Sequence, residues 1–122
     1  MQKLSEPDGP GDSYFVAADK RLVGNPRQTV WIQYTDPSRA FTVGLWRSEP
    51  GKWKVAYTEE EYCQMLEGSS RIEAVDGSSM TVRSGDSFVI PRVFVGTWEV
   101  VEETTKRFVI YEPDAVMRPT AG

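Results

Sequence analysis

Histidine is absent from the sequence, and cysteine occurs only once, at Cys63. Without an imidazole the chain cannot form a Ser-His-Asp or Cys-His catalytic unit, because histidine takes the nucleophile's proton in both. Lysine or a carboxylate is then the available base. A single cysteine cannot form an intrachain disulfide, which is typical of proteins from a reducing compartment.

Long apolar runs are also missing. Apolar runs such as residues 88–90 and 108–111 are far shorter than the ~20 residues that cross a bilayer. A charged segment rich in Pro and Gly lies where a signal peptide would need its apolar region. We therefore expect no membrane association and a cytoplasmic location.

Clusters of basic residues are lacking as well. The chain has 14 Lys and Arg against 18 Asp and Glu, a net charge of −4 and a pI near 4.9. Nucleic-acid binding depends on clustered Lys and Arg that neutralise phosphates. The charge pattern therefore predicts no nucleic-acid partner.

The 122 residues are enough for one domain with one core. Residues 1–12 combine charge with Pro and Gly, which predicts a flexible N-terminal arm, although such an arm could add a strand to a neighbouring subunit. Residues 113–122 have a similar composition and are predicted to be a C-terminal tail. The folded domain is then expected over residues 13–112.

Short segments rich in Val, Ile, Phe, Tyr and Trp alternate with turn residues, which predicts an all-β barrel or sandwich. Asp76-Gly77 is the clearest hairpin signal, because glycine accepts the positive φ of a tight turn. Residues 19–27 are expected to be irregular. The predicted strands are 14–18, 29–34, 40–47, 52–58, 60–67, 70–75, 79–83, 87–91, 97–101 and 107–112.

Four motifs occur in order, at residues 45–51 (LWRSEPG), 61–68 (EYCQMLEG), 85–91 (GDSFVIP) and 96–98 (GTW). This spacing resembles the two-motif signature of the cupin superfamily. It is most similar to the DUF861 branch, which includes ureidoglycine aminohydrolase-like and EutQ-like domains. The resemblance implies an all-β, single-domain jelly-roll barrel that pairs as a homodimer.

The resemblance also implies a metal site of three histidines and a glutamate, of which this chain keeps only Glu61. The histidine positions correspond to Tyr57, to Gly96 and to a place near Val55. A carboxylate, a phenol and a thiol make a poor transition-metal site. We therefore predict no metal and no cofactor.

Two further carboxylates, Glu59 and Glu60, are expected to lie on a solvated turn. Strand alternation sends Glu60 to the face opposite its neighbours. If Glu61 points inward, Cys63 and Met65 lie on the same face of the strand. The preceding strand contributes Tyr57 to the same pocket. The predicted site comprises Glu61 and Tyr57 as catalytic residues, with Trp98, Cys63, Met65 and Trp46 as ligand-binding residues.

The predicted role of Glu61 is general acid–base catalysis, because loss of hydration raises the pKa of a buried carboxyl group. The alternative is structural: Glu61 pairs with a Lys or Arg, or bonds to Tyr57. Cys63 is interpreted as a small buried hydrophobic residue. Lys106 and Arg107, at the start of the last predicted strand, are expected to be solvated, unless one reaches a substrate carboxylate.

We hypothesise a metal-independent cupin that binds a small polar metabolite and can act on it by acid–base chemistry. By resemblance, the metabolite belongs to nitrogen or amino-compound metabolism. The alternative is a non-catalytic, dimeric metabolite-binding or accessory module. A third possibility is a structural dimer whose barrel is filled by Trp98 and Met65.

Overall fold

A computed structural model describes residues 1–113, which form an antiparallel β-sheet with one short 3₁₀ turn at Ala18–Lys20. The predicted all-β class is therefore confirmed. Within these residues the strands are β1 (Asp12–Phe15), β2 (Arg21–Val23), β3 (Arg27–Thr35), β4 (Phe41–Ser48), β5 (Gly51–Ala56), β6 (Glu60–Ala74), β7 (Ser79–Arg83), β8 (Ser87–Ile90) and β9 (Val95–Tyr111).

The two longest strands, β6 and β9, organise the sheet. They pair with each other along most of their length, while β9 also pairs with β5 through its first part and with β4 through its second. β6 additionally pairs with β7 and β8. The sheet curls around a shared interior, as the predicted cupin-type jelly roll requires.

Both long strands were expected to be interrupted. Segments 60–67 and 70–75 form one strand, β6, because register shifts between Met65 and Ser70 bend the chain without ending its pairing. Gly68 lies at this bend with a φ of +81°, and a Cβ there would collide with the carbonyl oxygen of Glu103. Similarly, 97–101 and 107–112 are joined in β9. Segment 19–27, expected to be irregular, contains β2 and the start of β3.

The predicted hairpin at Asp76-Gly77 is confirmed. It connects β6 to β7, with Glu73 opposite Ser79, and Gly77 has a φ of +92°. The Asp76 carboxylate accepts a hydrogen bond from the Ser78 backbone N–H at 2.8 Å. Both features are typical of a tight turn that needs glycine and a short polar side chain.

Residues 1–11 lie beside β3. The Trp31 indole N–H donates to the Gly9 carbonyl at 3.0 Å, and the Gln33 side chain donates to the Ser5 carbonyl at 2.9 Å. The flexibility of this arm stays a prediction. The predicted tail, apart from Pro113, lies outside the described residues. No helix within residues 1–113 is long and apolar enough to cross a membrane.

The core lies inside the curl of the sheet and is rich in tryptophan. The Trp46 ring centroid lies 5.7 Å from that of Trp98 and 6.2 Å from that of Trp53. On β6 the burial alternates, so that Glu61, Cys63 and Met65 share the inward face, as the period of two predicts. An acidic side chain thus enters an aromatic interior.

Candidate functional site

A cavity of about 240 Å³ lies within the barrel. Four of the six predicted site residues line it, whereas Cys63 and Met65 belong to the buried core and are not among the lining residues. Its wall consists of Tyr14, Gln28, Val30, Trp46, Trp53, Val55, Tyr57, Glu59, Glu61, Trp98, Lys106, Phe108 and Ile110.

Glu61 forms a buried ion pair with Lys106, whose ammonium nitrogen lies 2.9 Å from Glu61 Oε2. Each side chain is only 6% exposed. The expectation that Lys106 is solvated is therefore wrong. Lys106 lies within β9, opposite Met65 on β6, and its side chain shares the inward face with Phe108.

Aromatic rings surround the Lys106 ammonium. The nitrogen lies 4.2 Å from the centroid of Trp98 and 4.7 Å from that of Trp46, so both rings make cation–π contacts. Burial lowers the pKa of Lys106, but attraction to Cys63 and Glu61 outweighs burial, and the net pKa is raised. Lys106 is therefore charged at neutral pH.

Arg107 follows Lys106 but belongs to the other face of β9. It is half-buried, and its Nη1 donates to Gln33 Oε1 at 2.9 Å. Arg107 is thus partly shielded from solvent, and it does not line the cavity. Strand alternation separates the two cations, so only Lys106 reaches the interior.

Tyr57 is held by the turn before β9. Its backbone N–H donates to the Phe94 carbonyl at 2.9 Å, and its own carbonyl accepts from the Val93 N–H at 3.0 Å. Burial raises the pKa of Tyr57 well above its ordinary value, and the charge of Glu61 and a hydrogen bond to it raise the pKa further. Tyr57 thus presents a protonated phenol to the cavity.

Cys63 is fully buried, with its sulfur 3.7 Å from Lys106 Nζ. Burial raises the pKa of the Cys63 thiol to about 12 even though the nearby ammonium acts in the opposite direction. A nucleophilic cysteine needs a thiolate at neutral pH. Cys63 has the environment of a packing residue.

Glu59 was expected on a solvated turn, but it is half-buried and lines the cavity. Burial raises the pKa of Glu59, while a hydrogen bond from the Thr58 hydroxyl, at 3.1 Å, lowers it in part. Tyr57, Glu59 and Glu61 are spaced by two and all line the cavity, whereas Glu60 does not. That spacing was the sequence signal for Glu59.

Gln28, on β3, was missed by the sequence analysis. It is 4% exposed and lines the cavity. Its Oε1 accepts a hydrogen bond from the Trp46 indole N–H at 3.0 Å. The same indole N–H also donates to the Tyr14 hydroxyl at 3.1 Å. Within residues 1–113, neither Gln28 Nε2 nor Trp98 Nε1 has a hydrogen-bond partner. β3 carries other polar residues, such as Arg27, Thr29 and Gln33, so nothing in the local sequence distinguishes Gln28 as a buried one.

Solved structures with a similar fold include three proteins that share less than 20% identity with this chain. A Pseudomonas syringae DUF861 protein of unknown function has 18% identity and a TM-score of 0.73, covering 85% of this chain and 46% of its own. Clostridium difficile EutQ has 19% identity and a TM-score of 0.65, covering 81% of both chains. Ectoine synthase from P. lautus has 12% identity and a TM-score of 0.61, covering 70% of this chain and 64% of its own.

These identities show the fold alone, and the chain spans about half the length of the Pseudomonas protein. Comparison with curated proteins gives no match. The model of the EutQ-like cupin domain matches residues 35–108, more than half of the chain, and includes Glu61, Trp98 and Lys106. The chain therefore belongs to the EutQ-like cupin domain family.

Proposed function

We propose that this chain binds a compact polar metabolite inside its barrel, through the Glu61–Lys106 ion pair. The observation that carries the proposal is the burial of this pair on the wall of a cavity. Removing two charges from water is costly, and an apolar pair of similar size is often as stable. Charged groups in a cavity are therefore typical of a binding or catalytic site.

The size of the cavity supports a small ligand. Its 240 Å³ equals the volume of about eight liquid water molecules. Trp98 lies in the wall and does not fill this space, while Met65 lies in the core. This volume counts against a barrel plugged by those two side chains.

The groups around Glu61 do not fit a divalent metal. Residues 1–113 contain no group of three or more His, Cys, Asp or Glu side chains that could hold one. The ammonium of Lys106 already contacts Glu61 Oε2 at 2.9 Å, and a second cation at that carboxylate would be repelled. This arrangement supports metal-independent binding.

Acid–base chemistry on the bound metabolite is the second candidate, and the position of Glu59 favours it. Lys106 stays charged and Tyr57 stays protonated near neutral pH, so they can stabilise negative charge and donate hydrogen bonds. Burial raises the pKa of Glu59, which makes its carboxylate a better proton acceptor than an ordinary surface carboxylate. A non-catalytic accessory module would bind the same ligand without turnover.

A thermal-shift screen of small amines, amino acids and sugar acids, with and without EDTA, tests the binding proposal. A ligand should raise the Tm by mass action, and EDTA should leave the Tm unchanged. The Lys106→Met variant should lose the ligand-induced shift, whereas Lys54→Met, at an exposed site on β5, should retain it. A Tm that falls with EDTA would overturn metal independence, and an undiminished shift in Lys106→Met would overturn the site.

Turnover separates the catalytic candidate from the accessory module. Any ligand from the screen would be followed by proton NMR over hours with the wild-type chain and with Glu59→Gln. Acid–base catalysis predicts product with the wild type and at least a tenfold lower rate with the variant. Unchanged ligand in both samples would favour the non-catalytic module.

A further inference from the structure

We propose that the cavity binds its ligand by a carboxylate group, and that Gln28 determines this specificity; the inference rests on the proposed function. Three donor atoms carry it: Gln28 Nε2, Trp98 Nε1 and Lys106 Nζ, here called the donor cluster. All three side chains line the cavity. They surround Trp46, which bonds to Gln28 and lies beside the Trp98 ring and the Lys106 ammonium.

The orientation of the Gln28 amide follows from its neighbour. An indole nitrogen can only donate, so Gln28 Oε1 must face Trp46 Nε1, and Nε2 is turned away from it. Gln28 is 96% buried, and within residues 1–113 its Nε2 has no acceptor. The same is true of Trp98 Nε1. A buried N–H without an acceptor is destabilising, which a ligand oxygen would relieve.

A carboxylate suits the donor cluster better than other head groups. Its two oxygens can accept from an amide and from an ammonium together, and hydrogen bonds between charged groups are the stronger ones. A neutral amide offers only one oxygen, and an alkylammonium offers only donors. Lys106 directs one N–H to Glu61 and another toward Cys63, which leaves a third donor for a ligand.

The acidic residues of the cavity restrict where this carboxylate binds. Glu59 and Glu61 also line the wall. Either glutamate would repel a ligand carboxylate that lies beside it, unless a cation is close enough to offset the repulsion. The donor cluster is therefore the favourable place. The remainder of the ligand then faces the acidic and aromatic part of the wall.

Three molecules of similar shape test the head group: butyrate, butyramide and butylamine, with dissociation constants measured by ligand-observed NMR. The wild type should bind butyrate most tightly. Gln28→Glu preserves the acceptor for Trp46 but replaces the donor by an anion, so it should weaken butyrate at least tenfold. Gln64→Glu, the same change at an exposed position on β6, should have no effect.

The proposal is overturned if butylamine or butyramide binds as tightly as butyrate, or if Gln28→Glu leaves the butyrate constant unchanged. Circular dichroism checks folding, and Gln28→Met replaces Gln28→Glu if the latter does not fold. The Trp98 indole resonance separates the two proposals. If only butylamine shifts this resonance, the carboxylate inference is refuted but cavity binding is not. If none of the three compounds shifts it, cavity binding itself is refuted.

Discussion

At the residue scale, Lys106 and Glu61 each make the burial of the other possible. An unpaired charge in a protein interior loses its hydration without compensation, whereas a pair retains mutual attraction. The two side chains lie 2.9 Å apart and are each 6% exposed. Their effects on stability should therefore be strongly coupled.

We expect Lys106→Met to lower the free energy of unfolding by roughly 3–5 kcal/mol, because it leaves Glu61 without its partner. The double variant Lys106→Met with Glu61→Leu should be more stable than that single variant, since neither charge is then buried. Urea denaturation of the wild type, both single variants and the double variant gives the coupling energy. If the stability loss of the double variant equals the sum of the losses of the two single variants, the coupling is contradicted.

Alkaline pH should destabilise the fold. The folded state retains the Cys63 proton to a pKa of about 12, whereas an ordinary thiol ionises near 9.0, so the unfolded chain binds fewer protons between these values. The free energy of unfolding then falls as pH rises from 9 to 12, by up to about 1.4 kcal/mol per pH unit from this thiol. The raised pKa values of Tyr57 and Lys106 act with the same sign.

Urea midpoints measured at pH 8, 9.5 and 11 check this pH dependence. Cys63→Ala removes one of the contributing groups, so its stability should fall less steeply above pH 9 than that of the wild type. Equal slopes for the two proteins would show that Cys63 does not carry the effect.

At the scale of elements, β6 bends at Gly68 and stays paired with β9 on both sides of this bend. The bend needs a positive φ and leaves no room for a side chain against the Glu103 carbonyl. We expect Gly68→Ala to lower the free energy of unfolding by roughly 2 kcal/mol or more, from left-handed backbone strain and the clash together.

Gly77 provides a matched control for that prediction. It also has a positive φ, but a Cβ there meets open space. Gly77→Ala should therefore show only the backbone cost, about 1 kcal/mol. Urea denaturation of both variants measures the difference, and equal losses would argue against the clash at Gly68.

At the scale of the whole molecule, we propose a homodimer, as the cupin resemblance implies. An exposed apolar patch on the outer face of the sheet supports this: Phe41 is opposite Tyr111, Tyr62 is opposite Val89, and the ring of Tyr34 lies 6.4 Å from that of Phe41. These side chains are between 38% and 56% exposed. Apolar patches of this kind are typical of interaction surfaces.

Size-exclusion chromatography with light scattering tests the homodimer. The wild type should give twice the 13.8 kDa chain mass, and Tyr62→Arg should shift it toward the monomer. Val75→Arg, at an exposed site outside the patch, should leave the mass unchanged. A wild-type monomer would refute the homodimer. A dimer whose mass is unaffected by Tyr62→Arg would show that the interface lies outside this patch.

The sequence by itself determined the all-β class, the Asp76-Gly77 turn and the inward face of β6, because glycine geometry and the period of two are local properties of the chain. The family also followed from the order of its motifs. The absence of histidine excluded imidazole chemistry regardless of fold.

Only the tertiary structure decided what accompanies Glu61. Residues 102–106 (EETTK) form a polar run that separates two of the predicted strands, 97–101 and 107–112. In the structure β4 and β6 pair with this run, so β9 continues through it. Thr104 is buried there because its hydroxyl bonds to Ser70 at 2.8 Å, and Lys106 is buried because Glu61 lies on the neighbouring strand. Both partners are more than 30 residues away in sequence. Burial of a polar side chain depends on such a distant partner, which no local pattern specifies.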